Sequence, residues 1–182
     1  MSNKNSNSGC CSCNTGCCGS EQDKKVKKRR IVIDFLFLDL SVCTRCQGTD
    51  TSLEEALSSI SQVLDATGVE VVINKINVTN EELAQKYKFV SSPTIRVNGR
   101  DIQMDVKESL CESCGDLCGE EVNCRVWVYQ GKEYTTPTKG MIIQAILKEV
   151  YGEDKSSDVN PQEYIMPQNL KNYYAAIKNK KL

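Results

Sequence analysis

The chain has 182 residues, 40% of them apolar and 26% charged, and a net charge of −1. That leaves room for one core with tails, and gives no general electrostatic reason to expect nucleic acid or a membrane surface as partner. Cysteine is the outlier, with 11 residues beside no histidine, so a zinc site here would be all sulfur or would recruit a carboxylate.

Residues 1–25 are rich in Ser, Asn, Gly and Cys and have almost nothing to bury, which predicts a disordered tail. Its Cys10, Cys11, Cys13, Cys17 and Cys18 are set too closely for a tetrahedral cage. They suit soft ions of low coordination, such as Cu(I), trivalent arsenic or Hg(II), or no specific ligand at all. No short basic stretch followed by an apolar one opens the chain, and no run reaches the ~18 apolar residues of a membrane span. A cytoplasmic location is expected, where disulfides are transient or catalytic and clustered thiols bind metals. Lys24 to Arg30 holds six cations and reads as a solvated linker.

Residues 26–152 are expected to form the domain. Ile31 to Leu40 is apolar on both faces and reads as a central strand. After Cys43-Thr44-Arg45-Cys46, Thr49 to Thr51 offer caps, and Leu53, Ala56, Leu57, Ile60, Val63 and Leu64 share one helical stripe that Gly68 ends. Val69 to Ile76 is a second strand. Thr79 or Asn80 caps a short helix through Tyr87, with Glu81 and Glu82 at its positive end. Thr94 to Val97 is a third strand, and Asn98-Gly99 turns it into an antiparallel pair.

An insertion at 103–124 precedes the next clear strand, Arg125 to Tyr129. Pro137 to Val150 makes the last amphipathic helix of the domain. Residues 153–182 are an extension whose stripe of Leu170, Tyr173, Tyr174 and Ile177 predicts a helix laid on the domain. The right-handed crossover rule makes the first two strands parallel neighbours. The fold class is therefore α/β: a mixed four-stranded sheet with helices on both faces, plus the Cys-rich insertion. The lone Trp127 is expected to report on strand packing.

Element order, Cys43-Thr44-Arg45-Cys46 after the first strand, and Pro93 before the third resemble the thioredoxin-like three-layer fold over about Arg30 to Tyr151. The resemblance implies a cis Pro93 packed beside the dithiol. Pro93-Thr94-Ile95-Arg96-Val97-Asn98-Gly99 is similar to glutaredoxin. Phe35 to Gly48 and Glu108 to Tyr134 resemble an uncharacterised bacterial family, domain of unknown function 2703, which implies a fold and no activity. The chain departs from the wider pattern in three places. Phe37 stands where thioredoxin has a buried aspartate, Val42 where it has tryptophan, and Arg100 to Gln103 lack the glutathione signature of glutaredoxin.

Backbone N–H groups at a helix start favour a thiolate, and a cation helps. In the exchange reading Cys43 attacks a disulfide and Cys46 resolves it. Arg45 stands between the thiols, Pro93 holds the incoming chain and Ser92 hydrogen-bonds it. No cofactor is needed, and the partner is a disulfide-bearing protein, a small thiol or a metalloid. Alternatively Cys43 and Cys46 are half of a metal site, although zinc knuckles usually sit on tighter turns.

In the insertion, Cys111, Cys114, Cys118 and Cys124 suit tetrahedral sulfur ligation of zinc or another soft ion, and equally one or two disulfides. Their spacing matches neither ferredoxin pattern. The insertion is also expected to reach the dithiol and exchange electrons with it. Three functions follow: a dithiol oxidoreductase, a soft-metal or metalloid binding and transfer protein, and a metal-stapled scaffold that recruits a partner. Substrate, electron donor, metal and oligomeric state are not written in the residues.

Overall fold

The computed structural model describes residues 29–118, 121–152 and 163–180. The tail cysteines Cys10, Cys11, Cys13, Cys17 and Cys18 lie outside them. So do most of the linker and the start of the C-terminal extension.

Strand β1 (Arg29–Phe37) is central, as its composition requires. Ile31, Ile33, Phe35, Leu36, Phe37 and Leu38 are all buried. A strand alternates its side chains, so consecutive burial means that both faces are covered. Each such large apolar side chain contributes roughly 1.5–3 kcal/mol of transfer energy. β1 pairs in parallel with β2 (Val69–Asn77) and antiparallel with β3 (Thr94–Val97), which pairs antiparallel with β4 (Arg100–Asp101). The result is a mixed four-stranded sheet in the order β2-β1-β3-β4.

Helix α1 (Thr44–Ala66) connects β1 to β2 and packs on α4 (Lys139–Tyr151). The loop before α4 comes close to α1: a Cβ on Gly48 would lie 2.8 Å from the Thr136 hydroxyl. Helix α2 (Glu81–Lys86) starts at Asn80, whose side chain accepts from Leu83 N. Helix α5 (Gln168–Lys180) lies against α2 and α3 (Glu112–Cys118), and the Tyr174 hydroxyl donates to Val78 O at 3.0 Å. Among the described residues no helix is long and apolar enough to cross a membrane.

Two details depart from the sequence reading. Helix α1 starts five residues before the expected Thr49 cap. The Cys43 sulfur accepts from Cys46 N, and buried Thr49 donates its hydroxyl back to Arg45 O at 2.8 Å. The second departure concerns β6 (Asn123–Tyr129), which does not join the main sheet. It forms a separate three-stranded sheet between β5 (Lys107–Leu110) and β7 (Lys132–Tyr134). Gln103 explains why. Its side-chain amide donates to Val126 O at 3.0 Å and accepts from Val128 N at 2.6 Å. It thereby occupies backbone groups of β6 that a neighbouring strand would need. The Asn98-Gly99 turn behaves as expected, with φ values of 50° and 82° that suit a hairpin of the primed type.

Candidate metal centre

Three parts of the fold meet at the carboxyl end of β1. The first is the start of α1. Cys43 is its N-cap, and its sulfur accepts from Cys46 N at 3.4 Å. The second is the start of α3. Cys111 N donates to Val122 O at 2.8 Å, and its own carbonyl accepts from Cys114 N and Gly115 N, which winds Cys111 and Cys114 into one turn. The third is β6, which points the buried Cys124 at that turn. Arg125 N donates to Ser92 O at 2.7 Å, which fixes β6 beside the loop that leads into β3.

The outcome is a four-sulfur cluster of Cys43, Cys111, Cys114 and Cys124, all buried, with ligand atoms within 4.8 Å of one another. Cys114 and Cys124 approach to 3.5 Å. All four are free thiols, as is Cys46. A disulfide needs ~2.05 Å between sulfurs. A tetrahedral ion with ~2.3 Å bonds to sulfur sets neighbouring sulfurs ~3.8 Å apart. The cluster therefore has the dimensions of a cage for one ion. An iron–sulfur cube, which interposes its own irons and sulfides, would spread four thiolates wider.

The four thiols shift one another's acidity in opposite directions. Hydrogen bonds from Cys111, Cys114, Cys124 and Cys46 drive the Cys43 thiol far below its ordinary value. Cys111 is lowered to about 6 by Cys114 and Cys124. Cys114 is pushed up, chiefly by Cys111, and Cys124 by Cys111, Cys114 and Cys43. A cation binding four thiolates would displace their protons, so its affinity would rise with pH.

The family described as "Domain of unknown function (DUF2703)" matches residues 31–146. The chain belongs to this family. An uncharacterised protein of the archaeon Archaeoglobus fulgidus is 29% identical over 91 residues, which is 50% of this chain and 64% of that relative. The chain thus spans 64% of the length of the curated relative it matches. No solved structure matches the chain. All four clustered cysteines fall inside the DUF2703 span, whereas the tail cysteines precede it.

The remaining site candidates are arranged as follows. Cys46 is wholly buried and stands outside the cluster, its sulfur 3.4 Å from the Ser92 hydroxyl. That hydroxyl also accepts from Leu38 N at 3.1 Å. The Cys46 thiol is pushed up by its hydrogen bond with Cys43 and by burial. The Ser92–Pro93 peptide is cis. Arg45 does not point at a dithiol opening. Its guanidinium donates to Leu110 O at 2.6 Å and Cys124 O at 3.1 Å, with longer bonds to Ser109 O and Arg125 O. It clamps the insertion onto α1. Cys118 is the last residue of α3, and its side chain lies outside the described residues.

The sequence reading expected the insertion to reach the dithiol, and the structure brings Cys43, without Cys46, to three insertion cysteines. It missed two further contributors. Ser113 bridges the parts, its hydroxyl 3.5 Å from the Cys111 sulfur and 3.4 Å from Thr44 N. Arg125 is wholly buried and paired with Asp101 through two 2.8 Å bonds, and it stacks over Trp127 at 5.1 Å. Arg125 is the one charge in the strand Asn123–Tyr129, and its sequence neighbours give no signal of what its guanidinium pairs with.

Proposed function

We propose that this DUF2703 protein binds a soft metal ion, zinc first among candidates, through Cys43, Cys111, Cys114 and Cys124 on a thioredoxin-like scaffold. The observation that carries the reading is four buried sulfurs from three separate elements lying within 4.8 Å of one another. A buried cysteine packs as a small apolar residue, so burial alone carries little, but the convergence of four sulfurs on one point is what a soft ion requires. A divalent ion neutralises half the charge of four thiolates. The Arg45 guanidinium, held on the carbonyl of Cys124, supplies a further cation at the edge of the cage. The scaffold assignment is supported by the parallel β1/β2 pair, the antiparallel β3 and the C-x-x-C at the start of α1. A reducing compartment such as the cytoplasm fits free thiols.

Thiol–disulfide exchange at Cys43 and Cys46 is the second reading. It is favoured by the placement of Cys43 at the N-terminus of a 23-residue helix. Against it, both sulfurs are 0% exposed, so a protein disulfide has no approach to them.

Purification without oxygen, followed by elemental analysis and mapping of alkylatable cysteines, separates the two. Metal binding predicts bound ion with Cys43, Cys111, Cys114 and Cys124 protected together. A metal-free protein with one reducible Cys43–Cys46 pair and exchange activity supports the second reading and overturns the first.

A further inference from the structure

We propose that Cys46 is a release arm for the cage: oxidation to a Cys43–Cys46 disulfide withdraws Cys43 from the ligand set and frees the ion. This rests on the tetrathiolate reading above. Of the five free cysteines among the described residues, four converge and Cys46 does not. It is nevertheless the C-x-x-C partner of a ligand, in the first turn of α1, with its N–H on the Cys43 sulfur at 3.4 Å. That spacing at a helix start is the one at which dithiols close into disulfides.

The division of ligands makes Cys43 the effective point of attack. Cys111, Cys114 and Cys124 all come from the insertion, whereas Cys43 alone comes from the main-sheet side. Forming a Cys111–Cys114 disulfide would break two metal–sulfur bonds at once. A Cys43–Cys46 disulfide breaks one, because Cys46 is not a ligand. It also unties the insertion from α1.

The oxidant is a peroxide, which meets the Cys43 sulfur when the insertion opens locally from α1. The Cys43 thiolate leaves the ion and attacks one peroxide oxygen. The O–O bond breaks, Cys43 becomes a sulfenic acid, and the departing hydroxide takes up a proton to give water. The Cys46 sulfur then gives up its proton and displaces the sulfenic oxygen, which leaves as a second water while the S–S bond forms. In sum, one thiolate, one thiol, one peroxide and one proton yield a disulfide and two waters. The two sulfurs lose two electrons and the peroxide gains them. The ion departs unchanged in valence.

The test uses zinc-loaded full-length protein treated with hydrogen peroxide, with free zinc read by a colorimetric chelator and disulfides located by peptide mapping. Zinc is expected to appear in step with the Cys43–Cys46 disulfide, and a dithiol reductant is expected to restore binding. Cys46→Ser and Cys46→Ala are expected to hold zinc as the wild type does and to release it about ten-fold more slowly. Equal release rates in both variants, or a Cys111–Cys114 disulfide as the main product, overturn the release arm and leave the cage standing. Protein that holds no zinc before peroxide is added overturns both.

Discussion

Among the described residues C-x-x-C spacing occurs twice, each time at the start of a helix, and is used differently. Cys111 and Cys114 open a seven-residue helix, and both sulfurs enter the cage. Cys43 and Cys46 open a 23-residue helix fed by a buried strand, and only Cys43 enters, while Cys46 turns toward Ser92. The cause is what lies on the far side of each turn. The second cysteine of α1, one turn in, faces the loop that leads into β3, where the Ser92 hydroxyl stands 3.4 Å from its sulfur. α3 sits on a hairpin, and Cys124 on β6 comes within 3.5 Å of Cys114. C-x-x-C spacing therefore specifies a helix start and leaves the destination of the second sulfur to the packing around it.

The largest predicted effect breaks that comparison at its shared point. Cys43→Ser and Cys114→Ser should each weaken zinc binding by at least ~100-fold, beyond the range typical of groups that only support a ligand. Competition with a chromophoric chelator measures this. Cys46→Ser should leave the affinity within a few fold, and equal losses at Cys43 and Cys46 would dissolve the distinction between the two pairs.

Removal of the metal comes next. A chelator should raise amide hydrogen exchange in β5, α3 and the start of β6 while β1, β2 and β3 stay protected, since an ion bound by the four cysteines would link the insertion to α1. Uniform exchange across both regions would contradict that link.

Arg45→Lys should then lower the stability of the metal-free protein by roughly 1–3 kcal/mol in a denaturant titration, because a lysine cannot span the carbonyls of Leu110 and Cys124 together. The smallest effect is expected at Ser92→Ala. Losing the acceptor for Leu38 N should cost about 1 kcal/mol and spare zinc binding.

The main sheet was legible because its signals are local. The apolar run of β1, the stripe of α1, the Asn80 cap and the Asn98-Gly99 turn each follow from a few neighbouring residues. Strand β5 was not legible, since Lys107-Glu108-Ser109-Leu110 shows no alternation and three of its four residues are exposed. Nor could the pairing of Gln103 with β6 be read, because it is a side-chain substitute for a strand. For the site, the sequence offered all the thiols as candidates and grouped them by nearness in the chain. The structure groups them by tertiary packing, which brings Cys43 to the insertion and sends Cys46 elsewhere. That choice depends on how α1 and the β5–α3–β6 unit dock, and docking is carried by distant contacts such as those of Arg45.

X-ray absorption at the zinc edge of anaerobically purified protein addresses the four-sulfur cage most directly. Four sulfur neighbours at ~2.3 Å are predicted, falling to three with one lighter atom in Cys43→Ser and staying at four in Cys46→Ser. A shell dominated by nitrogen or oxygen, or one unchanged by Cys43→Ser, would contradict the account.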